Sequence, residues 1–405
     1  MSQTPIRILC SRNTPTRACD PSPFGREAGA AVRRVHRQAP GYTVTPLVPL
    51  TGLARQGGVK AVLVKDESTR FGLKAFKGLG GLYAMFRILC AELGLDPAAT
   101  TLEQLRQEPY RSRVARMTFI TTTDGNHGKG VSWAAGVFGC RAYVYMPKGT
   151  VEVRAQAIRD AGNAEVTITD MRYDDCVAYT RGLAERNGWH LIQDTAWPGF
   201  EQVPLWIMQG YITLYEETEQ QLQALGYAQP THIFLQAGVG SMAGAVAAAA
   251  VCRCEKPPVI ATVEPETVAC FYESFLAGDG QPHMATGSCE TIMAGLNCAI
   301  PCPTAWAQLR SAASFAFAVD DAATRSGMRL LARNDPPVIS GESGAVTAGL
   351  TQALLTDPAC AELRAELGLD ADSVILLIST EGDTDPDDYR AVVGASAETI
   401  AAKVP

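Results

Sequence analysis

The chain of 405 residues is 47% hydrophobic and carries a formal net charge of −7, which suits two lobes with cores of their own and argues against a nucleic-acid surface. It contains no run of about eighteen apolar residues, so no membrane span is expected. Arg7, Arg12 and Arg17 precede no apolar segment of the secretory kind, and a cytoplasmic protein is expected.

In chain order, the first fifty residues, with Pro40-Gly41-Tyr42, read mostly as loop and surface extension. Strands are expected at 61–64, 117–122, 141–146, 165–168, 190–193, 231–236, 258–263 and 373–378, most of them followed by helical pattern, with 315–319 as one more. That alternation predicts an α/β fold: mainly parallel sheets flanked by helices. The block 116–194 is a compact β-α repeat and forms the heart of a smaller lobe. The expected division is a large domain of 1–88 and 205–405 with an inserted α/β domain of 89–204, and the loop 194–204 serves as a crossover. The twelve cysteines are scattered, form no C-x-x-C pair and lack histidine partners. Reduced thiols and no bound metal are the expectation.

Four segments carry chemistry. Ala75-Phe76-Lys77 lies between the apolar strand at 61–64 and the apolar helix at 79–93, the kind of strand-to-helix edge where open α/β sheets place ligands. An amine there can form a Schiff base with a carbonyl cofactor, of which pyridoxal phosphate is the common one; alone, it reads first as a surface lysine, and the three segments downstream reverse that order. Thr123-Asp124-Gly125-Asn126-His127-Gly128 follows a strand and opens a helix, so its glycines admit an anion and Asn126 offers an amide. The plain alternative is an Asp-Gly turn with Asp124 as helix cap. Gly238-Val239-Gly240-Ser241-Met242 joins a strand to a small-residue helix, an arrangement that cradles one phosphate. It fits neither the nucleoside-triphosphate loop nor the dinucleotide fingerprint, and close helix–strand packing is its alternative. Ser379-Thr380-Glu381-Gly382-Asp383 clusters polar groups at the end of a buried strand.

Taken together, and in this order, these segments resemble the fold type II pyridoxal-phosphate enzymes, the tryptophan-synthase-β type. The resemblance implies that Lys77 holds the cofactor covalently and Asn126 lies beneath it. It further implies that Gly238, Val239, Gly240, Ser241 and Met242 take the phosphate and that Thr380 meets the pyridine nitrogen, with Ser379 as the competing hydroxyl. Ala75 stands where that group usually has Ser, and Asp124 where a neutral residue is usual. Those departures resemble one subgroup, the diaminopropionate ammonia-lyases, as do Arg70-Phe71-Gly72-Leu73-Lys74-Ala75-Phe76-Lys77, Asp194-Thr195-Ala196-Trp197-Pro198-Gly199-Phe200 and Thr380-Glu381-Gly382-Asp383-Thr384-Asp385. The similarity runs from about Phe71 to Tyr389.

The implied activity is elimination from 2,3-diaminopropionate, D and L, to pyruvate and two ammonia molecules, by a cytoplasmic homodimer acting in amino-acid catabolism. Lys77 and Asp124 are the expected catalytic groups. Thr123, Asp124, Gly125, His127 and Asp194 are the expected substrate side, with His127 supporting and Asp194 as a second acid near the β-amine; a turn acid is its plain reading. Glu342-Ser343-Gly344-Ala345 is expected to flank the cofactor ring or simply to open a helix, and 293–297 is a loop without a resolvable role. Two rivals stand: a serine or threonine dehydratase of the same fold, for which an acid pair is unnecessary, and a catalytically silent binding module for the same cofactor.

Overall fold

The computed structural model describes residues 6–18 and 20–402. The chain divides into two compact units, Met1–Gly25 with Val44–Thr69 and Leu214–Pro405, and Arg26–Thr43 with Arg70–Thr213. The smaller unit thus reaches beyond the expected 89–204. The helix Gly78–Leu93 explains much of the difference, because it packs along its length within this unit and no boundary falls at 88.

Eleven strands are formed among the described residues: β1 Ile8–Arg12, β2 Leu47–Pro49, β3 Ala61–Asp66, β4 Thr118–Thr122, β5 Arg141–Met146, β6 Ala164–Ile168, β7 His190–Leu191, β8 His232–Gln236, β9 Val259–Pro265, β10 Phe315–Val319 and β11 Val374–Ser379. The larger unit holds a seven-stranded sheet in the order β1-β10-β9-β8-β11-β3-β2. Its inner pairs are parallel and its two edges, β1 and β2, antiparallel. β3, β8 and β11 are buried along their whole length, which is why each carries an apolar run, at 61–64, 233–235 and 374–378. The smaller unit holds a parallel sheet in the order β6-β5-β4-β7.

The first fifty residues depart from expectation. They supply both edge strands and the helix Arg26–His36 rather than surface loop. β1 alternates only weakly, and its pairing with β10, Ile8 opposite Val319, creates it. Edge strands need little apolar pattern of their own. The cysteines depart as well: ten described ones form no disulfide, as expected, whereas Cys252 is disulfide-bonded. Among the described residues no helix is long and apolar enough to cross a membrane.

One charge cluster lies in the core of the larger unit. Lys65 on β3 donates to Glu217 Oε2 at 2.7 Å, to the Thr45 carbonyl at 2.7 Å and to Gln221 Oε1 at 3.0 Å, and both charged side chains are fully buried. The Thr45 N–H also donates to Glu217, at 3.2 Å. Removing Lys65 takes from Glu217 a close counter-ion in a dry site. Lys65→Met should therefore destabilise the fold by about 3–5 kcal/mol, read as a drop in the urea midpoint. Lys65→Met with Glu217→Gln, which keeps an acceptor for Thr45, should recover more than half of that loss.

Candidate active site

In the smaller unit the geometry begins with β4 and β7, parallel neighbours that pair Phe119 with His190 and Ile120 with Leu191. The segments that leave their carboxyl ends, 123–126 and 192–194, therefore start side by side. Gln193 ties them, its Oε1 accepting from the Thr122 N–H at 3.2 Å while its amide donates to Tyr173 Oη at 3.1 Å. Thr123 Oγ1 accepts from the N–H groups of Gly125 at 3.0 Å and Gly128 at 3.2 Å, so Thr123 shapes the turn into the helix Asn126–Phe138. This turn-forming duty comes in addition to the substrate contact expected of it. It also removes the plain reading of Asp124: the helix is capped by Gly125 with no side-chain bond, and Asp124 lies exposed to solvent. Asn126 opens the helix and is half-buried. His127, one residue on, is buried and shares a hydrogen bond between Nε2 and the Ile192 carbonyl at 2.9 Å.

Lys77 immediately precedes the helix Gly78–Leu93, with Ala75 and Phe76 packed beneath it. Its ammonium sits 2.6 Å from Asp194 Oδ2, whereas Lys74 is exposed. Two glycines let neighbouring helices close on this turn. A Cβ on Gly130 would come within 2.9 Å of the Lys77 carbonyl carbon and the Gly78 nitrogen, and one on Gly210 within 2.5 Å of the Leu79 oxygen. Sequence reasoning overlooked Gly130, although the spacing Gly125, Gly128, Gly130 was there to suggest a close approach.

The charges of this corner are mutually dependent. Burial alone would raise the Asp194 pKa, but the Lys77 charge, His127 and the Lys77 hydrogen bond together hold its carboxyl well below the usual carboxylate range. Burial pushes the His127 pKa below the ordinary histidine value, against the raising influence of Asp194. For Asp124 the surrounding protein mass raises the pKa, opposed by its own backbone and by the Arg154 and Lys77 charges. Since water reaches this carboxylate, much of that upward push is screened.

In the larger unit the loop 237–240 follows β8, and Thr380 follows its neighbour β11. Gly240 has φ +92°, and a Cβ on it would lie 2.4 Å from the Phe271 ring. A Cβ on Gly238 would come within 3.1 Å of Cys298 Sγ and the Gly295 carbonyl, so the segment 293–298 backs the loop, a packing role for a stretch that showed no chemical one. The N–H groups of Gly238, Val239, Gly240 and Met242 donate to no backbone carbonyl among the described residues. With Ser241 starting the helix Ser241–Arg253, these are donors laid out for an anion.

The two candidate hydroxyls differ. Ser379 is fully buried and donates to Ser340 Oγ at 2.7 Å. Thr380 Oγ1 accepts from Gln236 Nε2 at 3.1 Å, and the same amide nitrogen lies 2.7 Å from the Ile378 carbonyl and 3.3 Å from that of Ser343. Those carbonyls only accept, which fixes the amide and leaves Thr380 its own proton to donate. Within this unit, open amides beside a donor hydroxyl suit a ligand with a phosphate and a hydrogen-bond acceptor.

Comparison with known proteins agrees. Residues 39–380 match the family model described as pyridoxal-phosphate dependent enzyme, and the chain belongs to that family. Within it the chain groups with the diaminopropionate ammonia-lyases. It is 46% identical over 370 residues to the Salmonella typhimurium diaminopropionate ammonia-lyase, covering 90% of this chain and 91% of that one. It is 45% identical over 383 residues to the Escherichia coli K12 protein of the same name, covering 93% and 94%. A crystal structure of holo diaminopropionate ammonia lyase from Escherichia coli superposes with a TM-score of 0.90 at 43% identity, covering 97% of this chain and 98% of that chain.

Two outcomes follow from these contacts. Gly130→Ala should push the Lys77 backbone away and lower kcat/KM by about tenfold or more with an unchanged circular dichroism spectrum. Gly136→Ala, whose Cβ would meet nothing closer than 3.5 Å, should leave the rate intact. The second concerns Glu342, buried at the start of the helix Glu342–Thr356, where its Oε1 has no hydrogen-bond partner. Burial and then the charges of Glu381 and Asp388 push its pKa from 4.5 up to about 8. A raised carboxyl gives stability that is fully present below 4.5 and lost as pH rises through about 8. The urea midpoint should fall as pH rises from 4.5 to about 8 and level off above that, and Glu342→Gln should flatten that fall.

Proposed function

We propose that this protein catalyses α,β-elimination of 2,3-diaminopropionate, both D and L, to pyruvate and two ammonia molecules. It works as a cytoplasmic homodimer in amino-acid breakdown. The observation that carries the reading is an ammonium held 2.6 Å from Asp194 close to a second carboxylate, Asp124, that has no capping duty. A diamino acid brings a second cation to a cofactor site, and this corner is built for one. Serine and threonine bring a hydroxyl, for which the second acid has no evident use.

Lys77 would hold the cofactor, with Asn126 beneath it, the N–H groups of 238–242 on its phosphate and Thr380 donating to its ring nitrogen. Pyridoxal phosphate, when bound, supplies the electron sink that makes the substrate's Cα–H acidic and lets the β-substituent leave. Lys77, freed by the incoming substrate amine, takes the Cα proton from one face of the substrate. Asp124 takes it from the other. D- and L-isomers present opposite faces, so two bases allow one site to process both. Asp194 holds the β-ammonium, which departs as neutral ammonia when its C–N bond breaks.

Kinetics separate the roles. Asp124→Asn should lose about 10²- to 10⁴-fold in kcat/KM on D-diaminopropionate and less on the L-isomer, and Lys77→Ala should show no turnover. Equal losses on both isomers would reduce Asp124 to a binding acid. Pyruvate formed from serine or threonine, with none from diaminopropionate, would establish the dehydratase instead.

A further inference from the structure

We infer that His127 and Asp194 together form a two-acceptor receptor for the substrate's β-ammonium, and that His127 thereby sets the preference for an amine over a hydroxyl leaving group. The inference rests on the function proposed above and adds a residue and a selection rule to it.

The tautomer of His127 is set by its surroundings. Nε2 lies 2.9 Å from the Ile192 carbonyl oxygen, which can only accept, so the ring proton is on Nε2. In a neutral ring Nδ1 then presents a lone pair. That atom is buried, has no hydrogen-bond partner, and lies 3.9 Å from Asp194 Oδ2. A buried acceptor such as Nδ1, left without a donor, favours the arrival of one. An ammonium nitrogen carries three N–H groups and can sit about 2.9 Å from both atoms. A hydroxyl has one proton and satisfies one of them, leaving the other orphaned; sites built this way discriminate strongly.

Lys77 shows half of the arrangement. Its ammonium already rests on Asp194 Oδ2 at 2.6 Å. Once Lys77 is engaged with the cofactor it must give up that position, and a second ammonium can take it. Acid works against the receptor, because protonating Nδ1 turns the acceptor into a donor aimed at Asp194. The charged groups facing the ring are Asp194, Lys77 and Asp124, and burial keeps the imidazole neutral below the usual histidine range.

His127→Gln isolates the effect, since its amide can still donate to Ile192 while the Nδ1 acceptor is gone. In the holoenzyme the ratio of kcat/KM for diaminopropionate to that for serine should fall about ten- to a hundredfold, mainly through a higher KM for diaminopropionate. His127→Asn, which restores an acceptor near Nδ1, should recover part of the ratio. The acid limb of the wild-type kcat/KM profile due to His127 should vanish in the Gln variant. A second readout needs no turnover: ¹⁵N-histidine NMR of the holoenzyme, which has five histidines, should show His127, identified by its loss in the Gln variant, with Nε2 protonated and Nδ1 bare. A protonated Nδ1 at neutral pH, or an unchanged substrate ratio in an active Gln variant, overturns the inference alone. A wild type inert on both diaminopropionate isomers overturns the proposed function and this inference with it.

Discussion

Parallel pairing obliges neighbouring strands to finish on the same edge of their sheet, and the candidate residues of each unit depend on that constraint. In the smaller unit β4 and β7 end together, so a turn carrying Asp124 and His127 leaves beside a segment carrying Asp194. In the larger unit β8 and β11 do the same for the glycine loop and Thr380. Side chains distant in sequence become neighbours because the backbone ladder leaves them no other exit. The hydrogen bonds that refine each corner, Gln193 to Thr122 and Gln236 to Thr380, act over distances that the strand register has already made short.

Two lysine–carboxylate pairs show what burial does to a charge. Lys65 and Glu217 are fully enclosed, with the ammonium making three hydrogen bonds. Such a cluster is rigid because any rearrangement strands a charge in a medium that cannot solvate it. Lys77 and Asp194 keep 19% and 12% of their side-chain surfaces exposed. Their pairing is short and strong, yet water can help when it opens. That difference suits the first pair to holding a sheet in place and the second to exchanging partners.

Much of this was legible in the sequence, for identifiable reasons. Core strands such as Val374–Ser379 announce themselves because burial on both faces demands unbroken apolar runs. Lys77 and the loop 238–242 stand out because glycine and lysine at a strand-to-helix junction have few other uses. The edge strands were hidden, since their partners supply the pattern that they lack. The choice between Thr380 and Ser379 needed Gln236, whose amide is 144 positions away from the hydroxyl that it fixes. Thr123 and Asp124 could not be told apart as turn-formers until the Gly128 N–H was seen to point at one of them. The limits of the smaller unit escaped because the helix Gly78–Leu93 is apolar on nearly every face and gives no sign of which sheet it serves.

Gln236 carries a consequence for what the enzyme avoids. With its oxygen occupied by the amide, the Thr380 hydroxyl is polarised in one direction and can offer a proton without being able to surrender it fully. Under the proposed assignment Thr380 would hold the ring nitrogen without protonating it, and the bound cofactor would then be a weaker electron sink, which would favour loss of the β-substituent over transamination or racemisation. A single neutral amide, held by the Ile378 and Ser343 carbonyls, thus bears on reaction fidelity from behind the residue that would touch the cofactor.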